Sequence, residues 1–299
     1  MFPLPRSGEG GQGVRVSTRR DFVQTSAAAL AAAVLPASIR RSAGPPVHPE
    51  KLDRIGVQLY TVRDLIRQDF EGTLAKVADV GFQEVEFALR YFDHTPAQVR
   101  NILTQHGLTS PSAHLPFESL GDGWQAVLDD AQEIGHEYVL IASTPQLPKT
   151  LDDWKRIAEK FNRAGEATVH EGLKFAYHNH DFEFKPVEGR IPFDFLLENT
   201  DPSLVKIEMD LYWITLGGGQ PLLYFDRYPG RFPMVHVKDL KRGAAKPMVD
   251  VGAGDIDWKA IFAQHAKAGI EHYYVEHDEP ADPIASIRAS YQYLRGLEF

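Results

Sequence analysis

Cysteine is missing from all 299 residues. That absence excludes disulfides and thiolate chemistry, so any metal must be held by nitrogen and oxygen atoms and stability must come from packing. Basic residues are also short, 32 Lys and Arg against 41 Asp and Glu, for a formal net charge of −9. An acidic chain repels phosphate backbones, which argues against nucleic acid and anionic membrane as partners. The first strand-like run, "IGVQLYTVRD", is followed by no G-x-G-x-x-G turn, so a dinucleotide-binding fold is not indicated. The principal apolar run, near the N-terminus, is short and Ala-rich, which favours a cleaved signal over a membrane anchor.

That run belongs to "STRRDFVQTSAAALAAAVLPAS", where Arg19 and Arg20 precede Phe22 and a small-residue end. The order of basic region, Arg pair and apolar region predicts a twin-arginine export signal over residues 1–37, cleaved after Ala37, with a linker over 38–50 and one domain over 51–299. Periplasmic delivery follows. Removing 1–37 takes away four Arg, Glu9 and Asp21, leaving 28 basic and 39 acidic residues and a net charge of −11. Because this route carries folded proteins, the leader points to a cofactor acquired in the cytoplasm.

Beyond the Pro-rich "AGPPVHPE", short apolar runs alternate with helix-like ones. Strands are predicted at 55–60, 84–88, 109–114, 138–143, 173–178, 205–210, 234–239 and 273–278, with Pro111 weakening the third. Several intervening helices end in Gly, at Gly81, Gly107, Gly135, Gly172 and Gly269. Eight strand–helix pairs in about 250 residues predict an α/β fold, the (β/α)8 TIM barrel, with an open doubly wound sheet as the alternative. "VGAGDIDW" reads as a tight loop with Asp255 or Asp257 capping the next helix.

In such a barrel, function gathers at the C-terminal strand ends. Glu86 closes strand 2, His114 strand 3, His178 and His180 strand 5, Glu208 and Asp210 strand 6, His236 and Lys238 strand 7, and Glu276 and Asp278 strand 8. Residues two apart share a face, so these His and carboxylates converge on the axis, as a site for a hard or borderline divalent ion requires. The string "HNH" at 178–180 lacks the ββα surroundings of the nuclease motif of that name.

"YHNHDFEF", "EMDLYWI", "YPGRFPMVHVKD", "VGAGDIDWKAIF" and "YYVEHDEP" resemble the xylose isomerase-like superfamily of sugar isomerases and epimerases, which includes ketose 3-epimerases and inosose dehydratase. The resemblance runs from "IGVQLYTVRD" to the final helix and implies a TIM barrel with one catalytic divalent ion, Mn, Co, Mg or Zn. It implies Asp210, His236 and Glu276 as metal ligands, with Glu276 also acting as acid/base. Strand 5 departs from the epimerase pattern, placing His178 where a Glu ligand is usual; a neutral imidazole can replace it, so His178 is the fourth expected ligand. His180 and Lys238 join Glu276 as candidate catalytic groups, Lys238 as a base or as a group that polarises an oxygen. Glu86, His114, Trp213 and Arg242 are the expected substrate-binding residues. Trp213 takes the place of an epimerase His, whereas Arg242 matches an epimerase Arg.

The implied activity is metal-dependent proton abstraction beside the carbonyl of a keto-sugar or polyol, giving isomerisation or epimerisation. A lyase, dehydratase or hydratase acting by β-elimination, 3-keto-glycosides included, is the alternative. A sugar-binding barrel without turnover is another, and an endonuclease is disfavoured by the charge. Neither the sugar nor the oligomeric state is readable.

Overall fold

The computed structural model describes residues 49–88, 91–144 and 148–299. The expected export signal lies outside these residues. Eight parallel strands close into a barrel, each pairing with its neighbours: β1 (Gly56–Gln58), β2 (Glu84–Ala88), β3 (Thr109–Leu115), β4 (Tyr138–Ile141), β5 (Lys174–His178), β6 (Val205–Asp210), β7 (Met234–Val237) and β8 (His272–Val275). This is the expected TIM barrel, not the open sheet.

Strand periodicity explains the two sides of the wall. Val139, Ile141, Phe175, Tyr177, Val235, Val237, Tyr273 and Val275 join the large core beneath the helices. Their neighbours Tyr138, Leu140, Ala176, Met234 and Tyr274 form a separate inner cluster. Inward positions nearer the C-terminal ends carry Glu86, Glu208, Asp210 and His236, all buried. The barrel thus has an apolar floor and a charged upper layer.

The helices begin and end where the sequence signals them. Thr150 and Asp153 form a reciprocal capping box at the start of Leu151–His170, and Asp69 caps Phe70–Val80 through the Gly72 amide. All five glycines expected to terminate helices have positive φ.

Several strands are shorter than predicted. β1 stops at Gln58 because its side chain accepts the Tyr60 amide at 3.0 Å and caps a 3-10 turn over Leu59–Val62. β7 stops at Val237, and Asp239–Leu240 turns into a small antiparallel pair with Met248–Val249. Asp239 is the cause: its carboxylate accepts from the amides of Leu240, Gly252, Gly254 and Ile256 and from Trp258 Nε1. "VGAGDIDW" is therefore folded around one buried acid, while Asp257 caps Trp258–Phe262 as expected.

One buried histidine yields a pH prediction. His136 Nδ1 donates to the Ser110 carbonyl at 2.5 Å, which leaves Nε2 to accept from the Tyr91 hydroxyl at 3.1 Å. Burial holds its pKa down at about 4, so it is neutral in the fold. A folded-state pKa below the unfolded one means that stability is fully present above pH 6.5 and is lost as pH falls toward 4. Between pH 7 and 4, denaturant titration should show the wild type losing roughly 3 kcal/mol more than His136→Gln. Parallel pH curves would remove His136 as the cause.

Candidate active site

The pocket opens at the C-terminal ends of the strands, where a cavity of about 210 Å³ is lined by Tyr60, Ala88, His114, Ala142, Ser143, His178, His180, Trp213, Lys238, Glu276 and Asp278. His180, Lys238, Glu276 and Asp278 lie just past strand ends rather than within strands. His178 and His180 nevertheless face the same space, with rings 4.9 Å apart and nearly perpendicular.

The four expected ligands gather here. His178 Nε2 is 3.3 Å from Asp210 Oδ2, and His236 Nδ1 is 3.6 Å from Asp210 Oδ2 and 2.7 Å from Glu276 Oε2. Neighbouring strands supply adjacent ligands, with Asp210 in register opposite His236. Asp210 also caps the helix Leu211–Leu216 by accepting the Trp213 amide at 2.8 Å, which leaves Oδ2 for the pocket.

Tautomers follow from fixed partners. His178 Nδ1 faces the Ala142 carbonyl at 3.1 Å, so that nitrogen bears the proton. Burial lowers the His178 pKa well below 6.5, and the imidazole is neutral. Its Nε2 lone pair therefore points at a carboxylate oxygen 3.3 Å away, two acceptors face to face. Such a pair calls for a shared cation. His236 Nδ1 lies 3.6 Å from the same oxygen, so two ring nitrogens converge on Asp210 Oδ2. The nitrogen and oxygen donor set fits a divalent ion of the first transition row.

Lys238 carries a positive charge at the cavity wall. Its Nζ lies 2.8 Å from Glu276, 3.0 Å from Asp210 and 3.0 Å from Asp278. Burial alone would lower its pKa, but the three carboxylates, Asp210 first, hold it well above the ordinary lysine value. The side chain is an ammonium, suited to polarising an oxygen and not to removing a proton. Burial alone would lower the His236 pKa, but Glu208 and Glu276 hold it well above the ordinary histidine value, so a cation bound at Nδ1 would displace a proton. Burial likewise would raise the Glu276 pKa, yet Lys238 and His236 bring it down to about 2. His180 is neutral, its pKa lowered to about 4 by burial and then by Lys238, and its Nδ1 is buried without a partner.

The substrate-binding expectations divide. Trp213 and His114 line the cavity, and Lys238 Nζ lies 5.6 Å from the Trp213 ring centroid. Glu86 does not line it. It is wholly buried one layer below, because β2 ends two residues further on at Ala88. Arg242 is also elsewhere: the turn after Leu240 carries it to a separate groove with Leu222, Asp255 and Ile261, where its amide donates to Asp255 at 2.8 Å. Asp278 was expected only as a strand-end carboxylate without an assigned role, and Tyr60 and Ser143 were not expected. Asp278 had a legible signal, its spacing of two from Glu276; Tyr60 and Ser143 had none, because the turns that bring them in are not periodic.

Comparison with known proteins places this geometry. Residues 74–297 match the family model described as xylose isomerase-like TIM barrel. An inosose dehydratase of Geobacillus thermodenitrificans is 24% identical over 267 residues, covering 76% of this chain and 89% of that protein. An inosose dehydratase of Clostridium tetani is 30% identical over a shorter stretch, 38% of this chain and 43% of that one. The crystal structure of a sugar phosphate isomerase/epimerase from Parabacteroides distasonis superposes with a TM-score of 0.72 at 27% identity, covering 85% of this chain and 97% of the other.

Proposed function

Since this chain belongs to the xylose isomerase-like TIM barrel family, we propose that it is a divalent-metal-dependent enzyme that removes a proton beside the carbonyl of a keto-sugar or polyol, with isomerisation or epimerisation as the outcome. The observation that carries this reading is the neutral His178 lone pair facing Asp210 Oδ2 at 3.3 Å, with His236 Nδ1 3.6 Å from the same oxygen. His178, Asp210, His236 and Glu276 would hold the ion, which when bound would polarise the substrate carbonyl and acidify the carbon beside it.

The remaining steps belong to the side chains. Glu276, ionised at the cavity wall, takes the proton from carbon. The Lys238 ammonium donates a hydrogen bond to the oxygen that gains charge, and neutral His180 can return a proton or accept one from the opposite side. Trp213 gives the sugar an apolar face to pack on and excludes water.

A second reading, β-elimination by a lyase or dehydratase, is favoured by a specific observation: the inosose dehydratase relative aligned over 89% of its length. It also suits a strand 5 that offers His178 where a second carboxylate would serve a two-base epimerase. Glu276 would again remove the proton, and His180 or Lys238 would protonate the departing oxygen. Products formed in D₂O from keto-sugars and 3-keto-glycosides separate the two. A deuterated epimer or isomer supports the first, and a dehydrated or cleaved product the second. Sugar binding by calorimetry with no exchange would instead indicate a binding protein.

The place of action we infer is extracytoplasmic, from Arg19 and Arg20 ahead of the apolar run. Changing both to Lys should retain the protein in the cytoplasm. Undiminished periplasmic recovery would contradict export by this route.

A further inference from the structure

Directly below the pocket, Glu86, His114, Glu208 and His236 form a ring of alternating nitrogen and oxygen. His236 Nε2 to Glu86 Oε2 is 2.7 Å and His114 Nε2 to Glu208 Oε2 is 2.6 Å. The other two sides are longer, 3.2 Å from His114 to Glu86 and 3.1 Å from His236 to Glu208. The two short sides are hydrogen bonds, each at charge-assisted length.

The direction of those bonds is fixed from outside the ring. Gln58 Oε1 accepts the Tyr60 amide at 3.0 Å, which orients the side-chain amide so that Nε2 donates to Glu86 Oε2 at 2.7 Å. The Ser112 hydroxyl reaches Glu86 Oε1 at 2.5 Å. Glu86 therefore accepts on both oxygens, and His236 Nε2 must supply the proton between them. An imidazole that keeps its proton on Nε2 while a cation displaces the other has its lone pair on Nδ1. That atom faces Glu276 Oε2 at 2.7 Å and Asp210 Oδ2 at 3.6 Å.

We propose that Glu86 and Glu208, with His114 closing the ring, are positioning residues that hold the proton of His236 on Nε2 and so make Nδ1 the atom offered to the cation above. The proposal rests on the metal reading given for this site. It assigns a role to two carboxylates that no substrate in the cavity can touch, and it distinguishes them from the ligands Asp210 and Glu276.

The full chain loaded with Zn²⁺, a diamagnetic probe, and labelled with ¹⁵N at histidine tests it. The expected spectrum shows His236 with a proton on Nε2 and zinc on Nδ1; zinc on Nε2 with the proton on Nδ1 overturns the proposal. In chelator competition, Glu86→Gln and Glu208→Gln should each weaken Zn²⁺ binding by roughly 10- to 100-fold, the usual effect of losing a partner of a metal-bound histidine. Glu84→Gln is the control, an equally buried carboxylate on the same strand that bonds His272 at 2.9 Å instead, and its affinity should stay at the wild-type value. Folded Glu86→Gln that binds Zn²⁺ as tightly as wild type also overturns the proposal. If a buried Gln prevents folding, the wild-type spectrum still decides. Failure of the wild type to bind Zn²⁺ at all would remove the metal reading itself, and calorimetry distinguishes that result from a wrong tautomer.

Discussion

Replacing Glu276 with Gln should slow proton exchange between substrate and solvent by roughly 10²-fold or more, the contribution typical of a positioned acid or base. The carboxylate lies at the cavity wall only 5% exposed, with Lys238 at 2.8 Å and His236 at 2.7 Å. Burial would raise its pKa, but those two partners bring it down to about 2, so the group is ionised across any working pH. Exchange in the wild type should therefore show no loss attributable to Glu276 until pH approaches 2. Gln keeps the size and one oxygen but cannot take a proton, so metal content should be largely retained. Isotope exchange followed by NMR reads the rate. An unchanged rate in Glu276→Gln, with exchange abolished in His180→Gln or Lys238→Met, would move the base to the β5 or β7 side. The elimination reading would then replace the epimerase-like one.

His236→Ala should lose the ion. The imidazole is fully buried and links both layers, Nδ1 to Asp210 and Glu276 above and Nε2 to Glu86 and Glu208 below. Its removal takes away one of four ligands, so affinity should fall by more than the 10- to 100-fold typical of an outer partner. It also leaves buried carboxylates without their partner, a change that costs about 3–5 kcal/mol in comparable pairs. Elemental analysis should find about one ion per chain in wild type, by the stoichiometry of such sites, and almost none in the variant. His170→Ala, on an exposed helix end, should match wild type. Equal metal in both variants would put the ligands elsewhere. Asp210→Asn provides a second variant, smaller in volume change, should the first fail to fold.

How far the sequence foretold this arrangement depended on periodicity. Alternation along strands gave the barrel and placed Asp210 and His236 on one face, because inward and outward positions carry different chemistry and a slip of one residue would bury the wrong set. Helix ends were legible through Gly81, Gly135 and their counterparts, where a left-handed residue is needed. Strand ends were not legible: Lys238 and Glu276 read as strand residues, but β7 stops at Val237, next to the amide cluster around Asp239, and β8 stops at Val275. Arg242 was misplaced for the same reason, since six residues past His236 means little once a hairpin intervenes. Glu86 had the right face but the wrong depth. Sequence spacing tells which way a side chain points along a strand, whereas its height in the barrel depends on where neighbouring strands begin. Lys238 was ambiguous until its three carboxylates were seen, and they resolve it as an ammonium.

The central claim is that this pocket performs metal-dependent carbon-acid chemistry on a carbonyl sugar. The most direct measurement is incubation in D₂O with a panel of keto-sugars, comparing protein as purified, protein stripped by chelator and stripped protein restored with Mn²⁺, Co²⁺, Mg²⁺ or Zn²⁺. Deuterium should enter the carbon beside the carbonyl with the purified and restored forms and not with the stripped form. Exchange that continues undiminished after stripping, or no exchange by any form with any sugar, would contradict the account.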